Sequence, residues 1–261
     1  MNYRFFAKTD PGRARSNNED SVAFDERTRT AVLADGMGGY NAGEIASGMA
    51  TAFIKTELSR WLSETGAAAS ALEVRRAMEI CVDNANVSIF NSANSNASYA
   101  GMGTTLVVAV FREDKLLLGH IGDSRCYRIR RGAMLQITKD HSLLQEQIDA
   151  GMVTPEQAAT SSIKNLVTRA LGVDDTVQLE VNEHRVEVGD LYLICSDGLS
   201  DMVNDPSIAK IALADTELDH KAAQLIQAAN ANGGRDNISV LLVDVQELAE
   251  KRGLIARLLG M

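Results

Sequence analysis

Short runs of branched and aromatic residues recur along the chain: Tyr3 to Lys8, Ala31 to Ala34, Thr104 to Phe111, Lys115 to Ile121, Tyr127 to Arg130, Leu191 to Cys195 and Ile238 to Val245. Their length and composition predict β-strands, most of them separated by the turn-forming residues Gly, Asp and Asn. Helical spacing interrupts them after the second run. The segment Ala42 to Leu62 places Ile45, Met49 and Phe53 on one face, and Ser70 with Glu73 gives a capping-box signature ahead of Val74, Met78, Val82, Ala85 and Ile89. Near the end, Asp205 and Pro206 read as an N-cap and a first-turn proline, and Ala222, Leu225, Ile226 and Ala229 repeat at helical spacing.

Strands, a helix pair, strands, a helix pair and a last strand make an α+β pattern, because helices grouped in pairs favour layered antiparallel sheets over a doubly wound parallel one. No low-complexity linker divides the chain, so residues 1–246 are expected to form one domain. The polar segment from Ser142 to Leu171 reads as an insertion between strands. Residues 247–261 could form an amphipathic tail through Leu248, Ile255, Leu258 and Leu259.

Composition narrows the setting. The 35 acidic residues exceed the 26 basic ones, and the net charge of -9 argues against unaided binding to nucleic acid or anionic lipid. No apolar run approaches the ~18 to 20 residues of a membrane span, and no signal-peptide core follows Met1. Cys81, Cys126 and Cys195 lie in apolar stretches without C-x-x-C spacing, which reads as reduced core thiols and a cytoplasmic location.

The chemistry lies in the placement of the aspartates. Asp35-Gly36 ends one apolar run, Asp197-Gly198 follows another, Asp123 stands between two strands, and Asp236-Asn237 precedes the last. Strand ends in one sandwich can meet at one edge. Two carboxylates ~4 Å apart repel by roughly 4 kcal/mol at an effective dielectric near 20, so a cluster of them needs protons or cations. Oxygen ligands without a nearby histidine or cysteine pair suit Mg²⁺ or Mn²⁺. Taken singly, an Asp-Gly pair is as readily a turn.

The blocks RSNNED (Arg15 to Asp20), DGMGG (Asp35 to Gly39), GMGTT (Gly101 to Thr105), GDSR (Gly122 to Arg125), TKDHS (Thr138 to Ser142), CSDGLSD (Cys195 to Asp201) and GGRDN (Gly233 to Asn237) together resemble the type 2C metal-dependent protein phosphatases in their bacterial serine/threonine form. The resemblance spans the chain from about Tyr3 to Val245. It implies a four-layer sandwich of two antiparallel sheets flanked by helix pairs, a two-metal centre at one edge, and a flap at residues 142–171.

Carried over to this sequence, the resemblance makes Asp35 a bridge between two divalent cations, Mn²⁺ or Mg²⁺, with the Gly36 carbonyl, Asp197 and Asp236 as further ligands. Glu19 and Asp20 would act directly or through water, Asp123 with Asp197 would hold a weaker third metal, and Arg15 would bind the substrate phosphate. The implied reaction is hydrolysis of phosphoserine or phosphothreonine by a metal-activated water without a phosphoenzyme. The implied partners are phosphorylated proteins, substrates of a serine/threonine kinase, met by a monomer. Met37 stands where many eukaryotic members carry a histidine, so no protein general acid is assigned. His141 reads as structural, Arg125 and Arg169 as partners of carboxylates. Two readings compete: a catalytically silent phosphoprotein binder of the same fold, and a phosphatase for small phosphate esters.

Overall fold

The computed structural model describes residues 1–38, 42–154, 157 and 166–248. Two sheets face each other, and every strand pairing in them is antiparallel. In chain order the elements are β1 (Asn2–Asp10), β2 (Asp20–Asp25), β3 (Thr30–Met37), α1 (Ala42–Thr65), α2 (Ala71–Ser95), β4 (Gly103–Thr104), β5 (Leu106–Arg112) and β6 (Lys115–Ile121). There follow β7 (Arg125–Arg130), β8 (Ala133–Gln136), α3 (Leu143–Asp149), β9 (Glu180–Arg185), β10 (Leu191–Cys195), α4 (Asp197–Ser200), α5 (Asp205–Ala212), α6 (Leu218–Ala231) and β11 (Ile238–Gln246). One sheet has the order β1-β11-β10-β7-β8 and the other β2-β3-β5-β6-β9, with β4 added against β3.

Period-two alternation explains the layers. In β3, Ala31 and Leu33 face the opposite sheet while Val32 and Ala34 face the helices, so both sides are buried and the run reads as continuously apolar. β11 divides likewise, Leu241, Val243 and Val245 pointing between the sheets and Val240 and Leu242 towards α6. Between the sheets Phe111 meets Tyr3, Phe5 and Tyr192 at ring-centroid distances of 5.1, 6.1 and 5.2 Å, mostly tilted or edge-on, as aromatic quadrupoles prefer. The result is the α-β-β-α sandwich that the resemblance implied, and it agrees with the layered α+β class read from the segment pattern.

α2 begins as expected: Ser70 Oγ accepts from the Glu73 N–H and the Glu73 carboxylate accepts from the Ser70 N–H, at 3.3 and 2.8 Å. Its residues Val74, Met78, Val82, Ala85 and Ile89 are all buried. Two readings require correction. The face of α1 that enters the core is Ala42, Ala46, Ala50, Ile54, Leu58 and Leu62, whose small first half lets the helix lie close on β3; Ile45, Met49 and Phe53 are only partly buried beside it. The N-cap of α5 is Asn204, whose Oδ1 accepts from the Ser207 N–H at 3.0 Å, which moves Asp205 inside the helix beside Pro206.

Strands β2, β8 and β9 carried no recognised signal. Within the insertion, Ser142 caps α3 and bridges to Val167, while residues 155–156 and 158–165 lie outside the described residues. So do Gly39 and Ile255, Leu258 and Leu259 of the tail, whereas Leu248 is exposed. Cys81, Cys126 and Cys195 are unpaired and buried, and burial raises each thiol, that of Cys81 to about 11. Among the described residues no helix is long and apolar enough to cross a membrane.

Candidate active site

The aspartates collect at one edge because strand ends from both sheets stop there. Asp20 opens β2 and stands opposite Asp35 in the β2–β3 ladder. Asp197 follows β10 and Asp236 precedes β11, two neighbouring strands of the sheet that faces β2 and β3, while Asp123 sits in the turn by which the chain crosses from β6 to β7. β3 runs on through Gly36 to Met37 because Gly103 and Thr104 pair with it, so the glycine-rich stretch begins as strand rather than loop.

Close backbone approach fixes this corner. A Cβ on Gly36 would lie 2.1 Å from the Gly43 carbonyl oxygen and 2.6 Å from that of Glu19, and one on Gly43 would lie 2.9 Å from the Glu19 carboxyl carbon. Only glycine at both positions lets α1 start against the end of β3. Thr104 and Thr105 pin Asp35 from the other side: Thr104 Oγ1 and the Thr105 N–H donate to its carbonyl, each at 2.9 Å, and its N–H donates to Thr105 Oγ1 at 3.0 Å. Thr105 Oγ1 continues to Ser124 Oγ at 2.8 Å, beside Asp123.

Negative charge accumulates at this edge. Burial, then the charges of Asp20, Asp197, Asp123 and Asp236, push the Asp35 carboxyl well above the usual carboxylate range. Asp197 is pushed up as strongly, by burial and then by Asp123, Asp201, Asp236 and Asp20. Burial also raises Asp20 and Asp123, each to about 6. Asp20 Oδ2 accepts from Ser196 Oγ at 2.8 Å, but its buried Oδ1 has no hydrogen-bond partner. An orphaned buried carboxylate oxygen among like charges is what an oxygen-ligated cation requires, and the donor set of carboxylates with the Gly36 carbonyl fits Mg²⁺ or Mn²⁺.

The N-terminal loop enters from outside. Arg15 Nη2 donates to Asp236 Oδ2 at 2.8 Å, so the guanidinium predicted for phosphate rests on a cluster carboxylate, and Asp236 with it raises its pKa. Glu19 is half-buried, its carbonyl accepting from the Gly36 N–H at 3.0 Å. Asn237 staples this loop, accepting from the Glu19 N–H at 2.8 Å and donating to the Pro11 and Asn17 carbonyls at 3.0 and 2.8 Å.

Two residues at the edge were not singled out from sequence. Asp201, one helical turn after Asp197, adds its charge to both Asp123 and Asp197. Its i,i+4 spacing in SDGLSD was the available signal. Asn237 was quoted only as part of a block. Of the arginines, Arg125 makes a fork with Asp140 at 2.6 to 3.1 Å, as expected, but exposed Arg169 has no ion pair among the described residues.

His120, His141 and Glu180 form a second cluster, ligand atoms within 4.8 Å of one another. The imidazoles stack at 4.7 Å and 21°, so their in-plane lone pairs do not converge on one ion. Hydrogen bonds use them instead. His120 Nε2 lies 2.7 Å from the Lys139 carbonyl; His141 Nδ1 accepts from the Gly122 N–H at 3.2 Å while the His141 N–H donates to the Gly122 carbonyl at 2.9 Å. This reciprocal clamp holds the residue before Asp123.

The sequence model of protein phosphatase 2C matches residues 12–242. The chain belongs to the protein phosphatase 2C family. It is 37% identical over 240 residues to the serine/threonine phosphatase Stp of Listeria innocua, covering 91% of this chain and 94% of that one. Its fold matches the crystal structure of the Mycobacterium tuberculosis serine/threonine phosphatase PstP/Ppp with a TM-score of 0.86 at 37% identity, over 95% of this chain and 100% of that one. A structure of the PstP catalytic domain in complex with two manganese ions matches with a TM-score of 0.82 at 37% identity, over 94% and 99% of the two chains. The aspartate edge is therefore the candidate active site of a protein phosphatase 2C chain.

Proposed function

We propose that this chain is a metal-dependent protein serine/threonine phosphatase, with residues 1–246 as one catalytic domain and 142–171 as its flap. The single observation that carries the reading is the convergence of Asp20, Asp35, Asp123, Asp197 and Asp236, with an unpartnered buried oxygen on Asp20, in a chain of this family. Asp35, the Gly36 carbonyl, Asp197 and Asp236 would hold two divalent cations, Glu19 and Asp20 would complete their surroundings, and Asp123 with Asp197 and Asp201 would take a weaker third. When bound, the cations make a water acidic enough to attack phosphorus and neutralise the phosphoryl oxygens.

The protein's own groups do the rest. Arg15 turns its free donors to the phosphate, a planar fork suited to two oxygens. Attack by water breaks the bond between phosphorus and the Ser or Thr oxygen, so no protein nucleophile is needed. The two serines that adjoin the aspartates offer none: Ser196 Oγ is engaged with Asp20 and the Ser239 N–H, and Ser124 Oγ with Thr105. Both hydroxyls are buried. The partners are phosphorylated proteins, products of a serine/threonine kinase, and the chain acts as a monomer. Unpaired buried thiols agree with a reducing cytoplasm.

Phosphate release from a phosphothreonine peptide, measured after chelation and after adding Mn²⁺, tests the reading against a panel of phosphorylated metabolites. Release from the peptide should vanish with chelator and return with Mn²⁺. Full turnover without metal, or preference for the small esters, would reject it.

A further inference from the structure

A cavity of about 510 Å³ opens at the opposite end of β3 from the aspartates. β3 runs extended from Thr30, next to Arg29, to Asp35, about 17 Å of strand, so the cavity is separate from the active site. Its rim carries Arg27, Arg29, Arg112 and Lys115 against one carboxylate, Glu113, in a chain whose net charge is -9.

These cations are not all neutralised. Arg27 lies 3.7 Å from Asp25 and Lys115 lies 2.7 Å from Glu183. Arg29 and Arg112 have no ion pair among the described residues. Arg29 rests its guanidinium 5.1 Å from the Tyr3 ring centroid, and Arg112 Nη2 donates to the Gly66 carbonyl at 2.8 Å. Arg29 also has φ of 56°, a left-handed conformation that Gly or Asn adopts at lower cost. It is held there by the Phe111 N–H donating to its carbonyl at 3.0 Å and by a turn in which Asp25 accepts from the Arg27 and Thr28 N–H groups. Arg29 closes the β2–β3 hairpin loop, and Glu113 and Arg131 take φ of 49° and 51° in the β5–β6 and β7–β8 turns, so what marks Arg29 is a guanidinium without an ion pair in a concave site.

We propose that this cavity binds a small anion bearing two linked phosphoryl groups, clamped between Arg29 and Arg112. Arg29 and Arg112, the two lining guanidiniums without an ion pair, can each donate to one of two linked phosphoryl groups, while Arg27 and Lys115, already paired with Asp25 and Glu183, stand as outer contacts. A cavity of this size holds a diphosphate with a small organic body. This site does not depend on the catalytic reading.

Amide NMR of the Mg²⁺-loaded full chain, titrated with pyrophosphate, tests the site at residue resolution. Saturable shifts are expected at Gly66, Ser70, Arg112 and Glu113, and Arg29→Asn with Arg112→Gln should weaken them by about tenfold or more. Asparagine suits the left-handed backbone, so the variant keeps its fold, which the same spectra report. ADP binding at least as tightly as pyrophosphate would assign an organic diphosphate, and weaker ADP binding would assign the inorganic ion. Shifts confined to amides around Asp35 and Asp197, equal affinity for inorganic phosphate or for adenosine, undiminished binding in the variant, or no saturable shift at millimolar pyrophosphate would each overturn it.

Discussion

Asp20→Asn should move stability and function in opposite directions. In the metal-free chain the Asp20 carboxyl is buried, keeps one oxygen unpartnered, and has its pKa raised from 3.8 to about 6 by desolvation. A carboxyl raised in the folded state binds protons more tightly there than when unfolded. Its charge therefore costs nothing below the unfolded value, and the cost grows as pH rises from about 4 through 6. A shift of about 2 units corresponds to ~3 kcal/mol at pH 7.5 and to a few tenths of that at pH 4. Asparagine keeps the acceptor for Ser196 Oγ and places an amide N–H towards the orphaned side, where the Asp35 carboxyl can accept it. Urea melts in chelator should thus show the variant more stable by up to ~3 kcal/mol at pH 7.5 and nearly equal to wild type at pH 4. With Mn²⁺ the order should reverse, because the wild-type charge then has a counterion and the amide does not. Equal destabilisation at both pH values, with or without metal, would make Asp20 an ordinary structural acceptor and refute the reasoning.

Arg15→Ala should lower kcat/KM on a phosphopeptide at least ~10-fold, chiefly through KM, as one or two charge-assisted hydrogen bonds of roughly 1.5 to 3 kcal/mol are lost. Because Arg15 rests on Asp236, calorimetry should find metal affinity unchanged or raised, and a collapse of metal binding would count against the phosphate role. Arg15→Lys should recover only part of the rate. His141→Leu leaves the Gly122 N–H without its acceptor and should cost about 1 to 3 kcal/mol in urea melts and raise the Mn²⁺ concentration needed for activity. His141→Asn, which presents an acceptor in nearly the same place, should restore much of both; no difference between the two variants in Mn²⁺ requirement would separate the clamp from the metal centre.

The interior was legible in sequence and the margins were not, for one physical reason. β3, β5, β6, β10 and β11 are buried on both faces, so their residues form apolar runs that stand out against the turns between them. β2, β8 and β9 are edge strands. One side of each lacks a partner and much of its surface meets water, so sequences such as Glu180-Val181-Asn182-Glu183-His184-Arg185 are as polar as loops. β1 is also an edge, but Tyr3 and Phe5 anchor it in the core between the sheets and made it visible. The α1 face was misread for a related reason: the larger side chains Ile45, Met49 and Phe53 dominate a hydrophobic pattern, whereas contact with a sheet selects small residues such as Ala46 and Ala50.

The same contrast holds at the active site. Asp35, Asp197 and Asp236 could be located because each adjoins a buried strand, and a strand end is a position that a pattern can find. What places them at one edge is carried by single polar atoms: Thr105 Oγ1 on the Asp35 N–H, the Asn237 side chain on three residues of the β1–β2 loop, and His141 Nδ1 on the Gly122 N–H. Such atoms have no periodicity, and the residues that offer them also serve in ordinary turns and strands. The edge holds carboxylates that repel, so these contacts must oppose a force that grows with each deprotonation. It follows that the bonds around Asp35 and Asp123 should exchange their amide hydrogens faster as pH rises in chelator, beyond the intrinsic rate, and should be protected again when Mg²⁺ is added. Protection that ignores both pH and metal would mean that the scaffold, and not the counterion, holds the aspartates together.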